Sequence, residues 1–352
     1  MPFVYPTAIE MFQIEADYVE RGRAGRVGLD IFPMKPRNAP KVRWAQRDNF
    51  FGMQQLRGLD GAPVHVNRVG MRTYEYEPGV FGEYTDITET ELTIRAGSID
   101  INAAPIGVGD LVTESTEFLV GRELDRMENS AWSILTTGVI SILLDDVDRG
   151  TQVGYSDSFS IQTFTAANSW ANFANSTPIK DMQAVQQLSV GRALDFGASS
   201  NIWVNQVTAN NLLNNANAND FGGRRTQYGA TLNSLTDFNN YFGSQNLPKI
   251  SVYDQGFYPR KPTVGSIAGF RKFIPNNIGV LVGKRTTGET IGEYQLTRNA
   301  SAGFRPGSYQ YMIDRANGVL GEKRTPANIE IHRGHNGGPA IYFPSAIVLM
   351  NI

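Results

Sequence analysis

The chain has 352 residues, of which 41% are hydrophobic and 19% charged, and its formal net charge is −2. The balanced charge excludes a polybasic nucleic-acid binder, and the absence of cysteine excludes disulfide bonds, thiolate metal sites and a cysteine nucleophile. Because the first ten residues lack a basic start and a long apolar stretch, and no apolar run approaches about 18 residues, we expect no signal peptide and no membrane contact.

Residues 21–47 form a strongly basic segment. It contains one acid, Asp30, and Pro33, Pro36 and Pro40 interrupt any helix, which favours an extended arm. Such an arm is either a solvated connector or a segment that lies across a neighbouring subunit or faces nucleic acid. The bases of this segment are Arg21, Arg23, Arg26, Lys35, Arg37, Lys41, Arg43 and Arg47.

Residues 59–94 alternate between apolar and polar side chains, which indicates strands. Val64 and Val66 alternate with polar residues in the first half, and Tyr74 and Tyr76 alternate with glutamates in the second. The stretch is too polar on both faces for a core, so we predict a long two-stranded loop. Since a lone pair of strands is only marginally stable in water, this loop needs a partner surface.

A long amphipathic helix is predicted over residues 111–144. Its apolar residues follow three- and four-residue spacing, and Asp110 or Thr113 can cap its first turn. The half that begins at Trp132 is apolar on nearly all sides, so we expect it to be buried. The regularly spaced apolar residues are Val120, Leu124, Met127, Ala131, Ile134 and Leu135.

The second half of the chain alternates short strands with helical turns. Thr177 as N-cap and Pro178 at the first helical position predict a helix that runs to about Phe196. Residues 334–338 are rich in glycine and predict a turn, and residues 340–350 predict a closing apolar strand. Further short strands are predicted at residues 202–204, 250–253, 278–282 and 328–332.

No motif in the sequence gives a convincing catalytic, cofactor or metal site. Residues 279–285 superficially resemble a phosphate-binding loop, but the spacing is one residue short and Arg285 replaces the required Ser or Thr. His332 and His335 could be two metal ligands, yet the only other histidine is His65, so a polar hairpin tip fits them better. Three acids near residue 146 could bind metal or transfer protons, although a solvated helix end is the commoner arrangement.

The order of these features is similar to that of the major capsid proteins of the phage lambda E type, which adopt the Hong Kong 97 shell fold of tailed phages and herpesviruses. In both, a basic arm, a hairpin punctuated by glycine and proline, and a long helix follow one another. Trp170 with residues 177–181 (TPIKD) resembles the family's Trp…Pro-x-x-Asp start of its second helix. Residues 273–277 (FIPNN) resemble its turn into a central strand, and residues 339–352 match its closing strand.

The resemblance covers nearly the whole chain and implies an α+β fold of the Hong Kong 97 type. Five regions are expected on this basis. They are an N-terminal arm (residues 1–55), an extended β-hairpin loop that reaches over an adjacent subunit (56–91), a peripheral domain with the spine helix 111–144 (92–180), an axial domain (181–299) and a return to the peripheral domain with the closing strand (300–352).

The function that the resemblance implies is structural. The chain would assemble with itself as hexamers and pentamers into the icosahedral head of a tailed phage, around double-stranded DNA that it contacts weakly and non-specifically. Scaffold, portal and decoration proteins would be further partners, the location would be the virion, and no enzyme activity, cofactor, metal or membrane would be involved. Two alternatives stay open: an encapsulin-like prokaryotic nanocompartment shell, which shares this fold but encloses enzymes, and an enzyme of an unrecognised class.

The basic arm and the extended loop together carry charges of both signs, which predicts ion pairs between subunits. One exposed pair contributes only about 0–1 kcal/mol, but a shell repeats each pair many times. The predicted inter-subunit contact residues are Arg21, Arg23, Arg26, Arg43, Arg47, Arg68, Arg72, Glu75, Glu77, Glu83 and Asp86.

The distribution of lysine predicts that subunits are not joined covalently through the loop. Some shells of this fold form an isopeptide bond in which a loop lysine attacks an asparagine of a neighbour, and that chemistry needs a deprotonated primary amine. Residues 42–179 contain no lysine, and a guanidinium stays protonated and cannot replace it. Particles boiled in detergent should therefore release one band near 38.8 kDa, whereas a surviving ladder of larger species would contradict the prediction.

Overall fold

The computed structural model has helices and strands in one α+β chain that divides into two units. The first unit comprises residues 1–42, 77–131 and 294–339, and the second comprises residues 43–76, 132–293 and 340–352. The residues that the structure describes are 19–47, 53–54, 56–57, 59, 61–63, 65, 71–88, 90–91, 94, 108–137, 140–144, 147–151, 161–192, 194–215, 234–258, 269–285, 288, 290–301, 303–314 and 328–352.

The bounds of the elements are as follows. Residues 19–23 are helical, and the later helices are α1 (Val27–Ile31), α2 (Val108–Thr137), α3 (Pro178–Gln187), α4 (Gln206–Leu213), α5 (Leu235–Ser244) and a 3-10 turn (Pro344–Ala346). The strands are β1 (Met34–Pro36), β2 (Val42–Arg47), β3 (Met71–Tyr76), β4 (Gly79–Thr88), β5 (Ile140–Leu144), β6 (Val147–Thr151), β7 (Gln162–Thr165), β8 (Leu194–Asp195), β9 (Asn201–Val204), β10 (Lys249–Val252), β11 (Gly256–Phe257), β12 (Arg271–Lys272), β13 (Ile278–Val282), β14 (Lys284–Arg285), β15 (Gly292–Leu296), β16 (Arg298–Asn299), β17 (Arg305–Pro306), β18 (Ser308–Asp314), β19 (Asn328–Ile341) and β20 (Ile347–Asn351).

The first unit contains a five-stranded sheet and most of the long helix α2. Strand β19 pairs antiparallel with both β4 and β18, and the strand order β1-β15-β19-β18 continues the sheet. Leu111, Val112 and Leu119 of α2 pack with Ile87 of β4 and with Ile329 and Ile331 of β19 to form the core. The predicted apolar stripe of α2 is confirmed, because all six of its residues are buried.

The predicted end of the long helix was wrong. Helix α2 stops at Thr137, and residues 140–144 are strand β5, which forms a hairpin with β6. Gly138 disfavours helix, and the β-branched Ile140 and Ile142 favour an extended backbone, so apolar character alone misled the prediction. Among the described residues, no helix is both long and apolar enough to cross a membrane.

The second unit contains the other five-stranded sheet, in the order β10-β9-β13-β20-β7. Its central strand β13 pairs with β9 and β20. The three middle residues of its apolar sequence (IGVLV) are all buried, as expected for a strand whose side chains are covered on both faces of the sheet. The strands predicted near residues 202–204, 250–253 and 278–282 are confirmed as β9, β10 and β13. The closing strand β20 pairs with β13 and with β7, so it belongs to this sheet.

Helix α3 begins as predicted, with Pro178 at its first turn, but it is shorter. It ends at Gln187 rather than near Phe196, and strand β8 follows, paired with β14. The Trp170 indole Nε1 donates a buried hydrogen bond of 2.9 Å to Asp181 Oδ2. Burial raises the pKa of Asp181, and the bond from Trp170 opposes that rise. Trp170 and Asp181, two of the residues that carry the resemblance to the capsid family, are therefore in direct contact within this unit.

Residues 334–338 are part of a continuous strand, so the predicted turn was wrong. Strand β19 is 14 residues long and includes all five of them. The glycines serve close approach rather than chain reversal: a Cβ on Gly334 would lie 2.2 Å from the Phe81 carbonyl oxygen, and one on Gly337 would lie 2.4 Å from the Gln295 carbonyl oxygen. Neighbouring strands supply these atoms, a constraint that local sequence does not show.

Adding one methyl group to β19 should therefore destabilise the protein. In Gly334→Ala the new Cβ would also lie 2.7 Å from the Tyr309 hydroxyl, and such overpacking typically costs about 1–3 kcal/mol. Gly121→Ala is the matched control, since nothing lies within 4 Å of its Cβ position in α2 and alanine stabilises a helix by about 0.5–1 kcal/mol. Urea unfolding followed by circular dichroism should show a lower free energy of unfolding for Gly334→Ala and a higher one for Gly121→Ala, each compared with the unmodified protein. Equal stability of the two variants would contradict this close packing.

Candidate functional site: subunit-contact surfaces

The hairpin of the predicted extended loop is built from β2 and β3. These strands pair with each other, so the first strand of the hairpin comes from within the predicted arm. Strand β4, which was predicted to lie in the loop, pairs instead with β19 in the sheet of the first unit. The prediction that the two halves of this stretch pair with each other was therefore wrong, whereas the boundaries of the loop at residues 56–91 stay a prediction. The strands of the observed hairpin are Val42–Arg47 and Met71–Tyr76.

An aromatic cluster holds the base of the hairpin together. The Trp44 ring stacks on Tyr74 at 5.6 Å between centroids and meets the edge of Tyr76 at 6.0 Å. All three side chains are buried, while Arg43 and Glu75 alternate with them and are exposed. The prediction that both faces of this stretch are polar was wrong for the two tyrosines, because their burial needs Trp44 from a strand outside the predicted hairpin.

Three large apolar side chains lie between the two hairpin strands and are almost completely exposed. Met53 is 94% exposed, Leu56 99% and Leu59 100%. Isolated exposed apolar residues are common on protein surfaces, but three of this size within seven positions form a group that gains free energy when it is covered. This is the most exposed apolar group among the described residues.

The basic segment is partly folded onto the long helix. Helix α1 lies within it, and the backbone nitrogens of Gly28 and Leu29 donate to the buried Glu128 carboxylate at 2.7 and 3.0 Å. A Cβ on Gly28 would lie 2.8 Å from that carboxylate, so the Glu128 side chain would have to shift to admit a larger residue here. The expectation of an extended arm was therefore wrong for α1, because a carboxylate from α2 satisfies the free amides at its start.

Some of the predicted contact residues form ion pairs within the chain. Arg26 Nη2 lies 2.6 Å from Asp125 Oδ1, and Lys41 Nζ lies 2.8 Å from Glu77 Oε1.

Glu83 accepts two hydrogen bonds from Arg122 of α2, one of them at 2.8 Å. The bond from Arg122 lowers the pKa of Glu83. All these pairs are at least partly exposed, so each adds little stability by itself.

The other predicted contact residues belong to several different segments of the chain. Arg21, Arg43, Glu75 and Asp86 are exposed and Arg23 is half-buried. Arg47 and Arg72 belong to β2 and β3, with side chains outside the description, and Arg68 lies outside the described residues. Their role in contacts between subunits stays a prediction.

A buried charged network joins α2 to the sheet of the first unit. Arg333 Nε donates to Glu123 Oε2, the Ser308 hydroxyl donates to Oε1 at 2.7 Å, and His335 Nδ1 lies 3.1 Å from Oε1. Burial alone would favour the neutral acid, but the contacts with His335 and Arg333 outweigh it and lower the pKa of Glu123 to about 2.

The other ring nitrogen of His335 lies 3.1 Å from the Tyr294 hydroxyl. His335 is therefore a buried member of this network, and the predicted polar hairpin tip at His332 and His335 was wrong. No group of three or more metal-ligating side chains occurs among the residues that the structure describes.

The opposite face of the same sheet carries a row of stacked rings. The His332 ring lies between Tyr84 at 5.0 Å and Tyr311 at 4.7 Å, measured between centroids, and Tyr309 stacks beside Tyr311 at 5.9 Å. His332 Nε2 lies 3.1 Å from Glu330 Oε2. Sequence reasoning missed this surface, although the alternation of Tyr309 and Tyr311 was a signal that one face of a strand is aromatic.

Comparisons with known proteins support the fold but not a named family. No protein-family model matches the sequence, and no curated protein matches it. A phage-related protein from Bordetella bronchiseptica RB50 is similar in structure, with a TM-score of 0.56, 11% identity and coverage of 96% of each chain. A proposed capsid protein of a prophage from Escherichia coli CFT073 has a TM-score of 0.53 and 11% identity, covering 96% of this chain and 97% of its own.

At this level of identity the likeness shows the fold alone. The chain has the fold of these phage proteins, and the α+β, Hong Kong 97-like fold that the sequence predicts is confirmed.

Because of the buried network, the free energy of unfolding should depend on pH through the ionisation of Glu123. Because the pKa of Glu123 falls from 4.5 to about 2 on folding, the ionised group contributes stability above pH 4.5, and this stability is lost as the pH falls towards 2. The linkage amounts to about 3 kcal/mol. In Glu123→Gln this loss should disappear, and the variant should be less stable at pH 7 because Arg333 stays buried without its counter-charge.

Urea unfolding at a series of pH values measures this effect. Glu83→Gln is the matched control, since its pair with Arg122 is partly exposed and should change stability by about 0–1 kcal/mol. If both variants kept the pH dependence of the unmodified protein, Glu123 would not be the linked group.

Proposed function

We propose that this chain is the major capsid protein of a tailed phage, which assembles as hexamers and pentamers into an icosahedral shell around double-stranded DNA. The observation that carries the proposal is the nearly complete exposure of Met53, Leu56 and Leu59 between the strands of an isolated two-stranded hairpin. The confirmed fold supports it, because the similar solved structures include a proposed prophage capsid protein.

The energetics of the hairpin favour a partner. Complete burial of one large apolar side chain is worth about 1.5–3 kcal/mol, so covering the three exposed residues would stabilise a contact appreciably. A two-stranded sheet is only marginally stable alone, and here the aromatic cluster at Trp44 secures only its base. Each subunit of a shell contacts several neighbours at once, so moderate contacts are sufficient.

The charge distribution also suits a shell that encloses DNA. A net charge of −2 avoids tight binding to phosphates, which would hinder packaging and release, while exposed bases allow weak contacts. Scaffold, portal and decoration proteins are proposed as further partners, and the virion as the location. The role is structural and does not require catalysis.

The regions of the capsid fold are proposed with revised boundaries. We assign the extended loop to residues 42–76 and the peripheral domain to the sheet and helix of the first unit. The axial domain would centre on the sheet β10-β9-β13-β20-β7, which adds residues 162–165 and 347–351 to the span 181–299. The loop in its revised position still lies within the lysine-free part of the chain.

Electron microscopy of the purified protein tests the proposed function. Negative staining of the expressed chain, with its scaffold protein if one is needed, should show closed shells of uniform diameter. A chain that remains monomeric at high concentration in analytical ultracentrifugation would contradict the proposal. Protein cargo in place of DNA in native particles would favour the nanocompartment shell.

Removing the exposed apolar group should block assembly without unfolding the subunit. In Met53→Ser/Leu56→Ser/Leu59→Ser the circular dichroism spectrum and urea midpoint should be unchanged, because these side chains bury almost no surface within the chain. Shells should be absent, since the contact loses the apolar area that it would bury. Val190→Ser is the control, as Val190 is 71% exposed outside the hairpin. Normal shells from the triple variant would show that the hairpin is not the contact.

A further inference from the structure

Strand β7 is one edge of the five-stranded sheet in the second unit. It pairs with β20 on one side, and within the described part of the chain no strand pairs with its other side. The Ala166 backbone nitrogen donates to the Asn351 carbonyl at 2.9 Å. Because the N–H and C=O groups of successive strand residues point to opposite sides, those of Thr163 and Thr165 point away from β20. Both threonines are exposed, and we call their outward side the open edge.

The opposite edge of the same sheet is strand β10, and it is already occupied at its centre. The Tyr253 backbone nitrogen donates to the Val204 carbonyl of β9 at 2.8 Å, so by the same alternation the Ile250 backbone groups point away from β9. Asn239 of α5 fills this position: its Nδ2 donates to the Ile250 carbonyl at 2.8 Å, and its Oδ1 accepts from the Ile250 nitrogen at 2.8 Å. A carboxamide thus takes the place of a neighbouring strand and protects this edge.

The open edge lacks the residues that normally prevent edge strands from pairing with other chains. Proteins protect such edges with charged side chains and prolines. In the sheet of the first unit, β1 contains Lys35 and Pro36, β4 contains Glu83 and Asp86, and β18 contains Asp314. Strand β7 (QTFT) contains neither a charged residue nor a proline, and no residue from 158 to 179 is charged. The open edge is therefore free to accept another strand.

The composition of the open edge suits a second copy of the same edge. A strand that pairs with its own copy places identical side chains near one another, and like charges at such positions are unfavourable. An uncharged edge has no such repulsion, and threonines that face each other across two strands stabilise the pair. Since Asn239 occupies the β10 edge, a second copy cannot extend this sheet head to tail. Pairing through this sheet therefore joins β7 to β7.

We propose that β7 of one copy of this chain pairs antiparallel with β7 of a second copy, so that the two sheets join across a two-fold axis. Such a contact uses the same patch on both copies. With Phe164 at the axis, the outward N–H groups of Thr163 and Thr165 find carbonyl acceptors on the other copy. The contact is small, so in a larger assembly it acts together with other contacts. It does not depend on the shell function, because a discrete pair and a shell can both contain it.

Charged substitutions on the open edge test the pairing. Thr163→Lys/Thr165→Lys and Thr163→Glu/Thr165→Glu each place like charges near one another, whichever threonines meet across the axis. In sedimentation equilibrium, each variant should raise the concentration at which half of the chains associate at least tenfold. An equal mixture of the two variants should recover most of the loss, because opposite charges then face each other. Unchanged association of a charged variant, or a mixture that does not recover, overturns the proposal.

The matched control is Thr163→Val/Thr165→Val. Valine keeps the branched, uncharged side chain that favours a strand, so this variant should associate like the unmodified protein. It also removes the hydrogen bond that Asn351 Nδ2 donates to Thr165 Oγ1 at 3.3 Å, which excludes loss of that bond as the cause of the charged variants' defect. Recovery in the mixture of charged variants excludes misfolding.

Hydrogen exchange of the full chain locates the contact independently. The backbone amides of Thr163 and Thr165 should exchange at least tenfold more slowly in associated protein than in dissociated protein, because each then donates to a carbonyl of the second copy. Mass spectrometry with residue resolution measures both states, and Thr163→Lys/Thr165→Lys at the higher concentration should show no slowing. Slower exchange confined to other segments would mean that the copies associate through a different surface, and would overturn the proposal.

The failures of the two proposals differ. If the unmodified chain forms shells and the charged variants form them equally well, the β7 contact is wrong and the shell function stands. If the chain forms pairs through β7 but no shells with or without a scaffold, the contact stands and the shell function is wrong. If the unmodified chain forms no oligomer at all, both are wrong.

Discussion

The buried carboxylate of Glu123 is the constraint on which the first unit depends. It lies on α2 and contacts Arg333 and His335 of β19 and Ser308 of β18. A charge removed from water is strongly unfavourable unless partners surround it, and removing one partner of a buried pair costs about 3–5 kcal/mol. The observed register of the helix on the sheet is therefore favoured over any register that separates Glu123 from Arg333.

That register decides what each face of the sheet presents. Successive residues of a strand point to opposite faces, so Arg333 and His335 inward place His332 outward between Tyr84 and Tyr311. A slip of one residue would exchange the two sets and bury the wrong side chains. Gly334 lets the backbone of β19 lie close to its neighbours, where a Cβ would collide with the Phe81 carbonyl oxygen. The buried network and the exposed aromatic row thus arise from one arrangement.

The second unit depends on apolar packing and on one polar contact. Its central strand β13 pairs with a strand on each side and is buried at its middle residues. The Trp170 indole donates to Asp181 in the first turn of α3. In the described part of the β2–β3 hairpin, the rings at its base are packed, whereas Met53, Leu56 and Leu59 are exposed. The unit therefore buries the apolar residues of its sheet but leaves the apolar residues of its hairpin exposed. This pattern is expected of a subunit whose hairpin is covered by a neighbouring subunit.

The amino-acid sequence by itself determined the features that depend on local periodicity and chain order. It gave the apolar stripe of α2, the central strand β13, the proline start of α3 and a resemblance sufficient to predict the capsid fold. Only the tertiary structure decided which strands pair, because pairing of β2 with β3 and of β4 with β19 joins residues far apart in the chain. For the same reason it decided that the glycines at 334–338 lie in a strand, that Glu123 keeps its charge while buried, and that Tyr84, His332 and Tyr311 form one surface. Local sequence sets the preferences of a segment, whereas close approach, burial of charge and surface composition depend on atoms that distant segments supply.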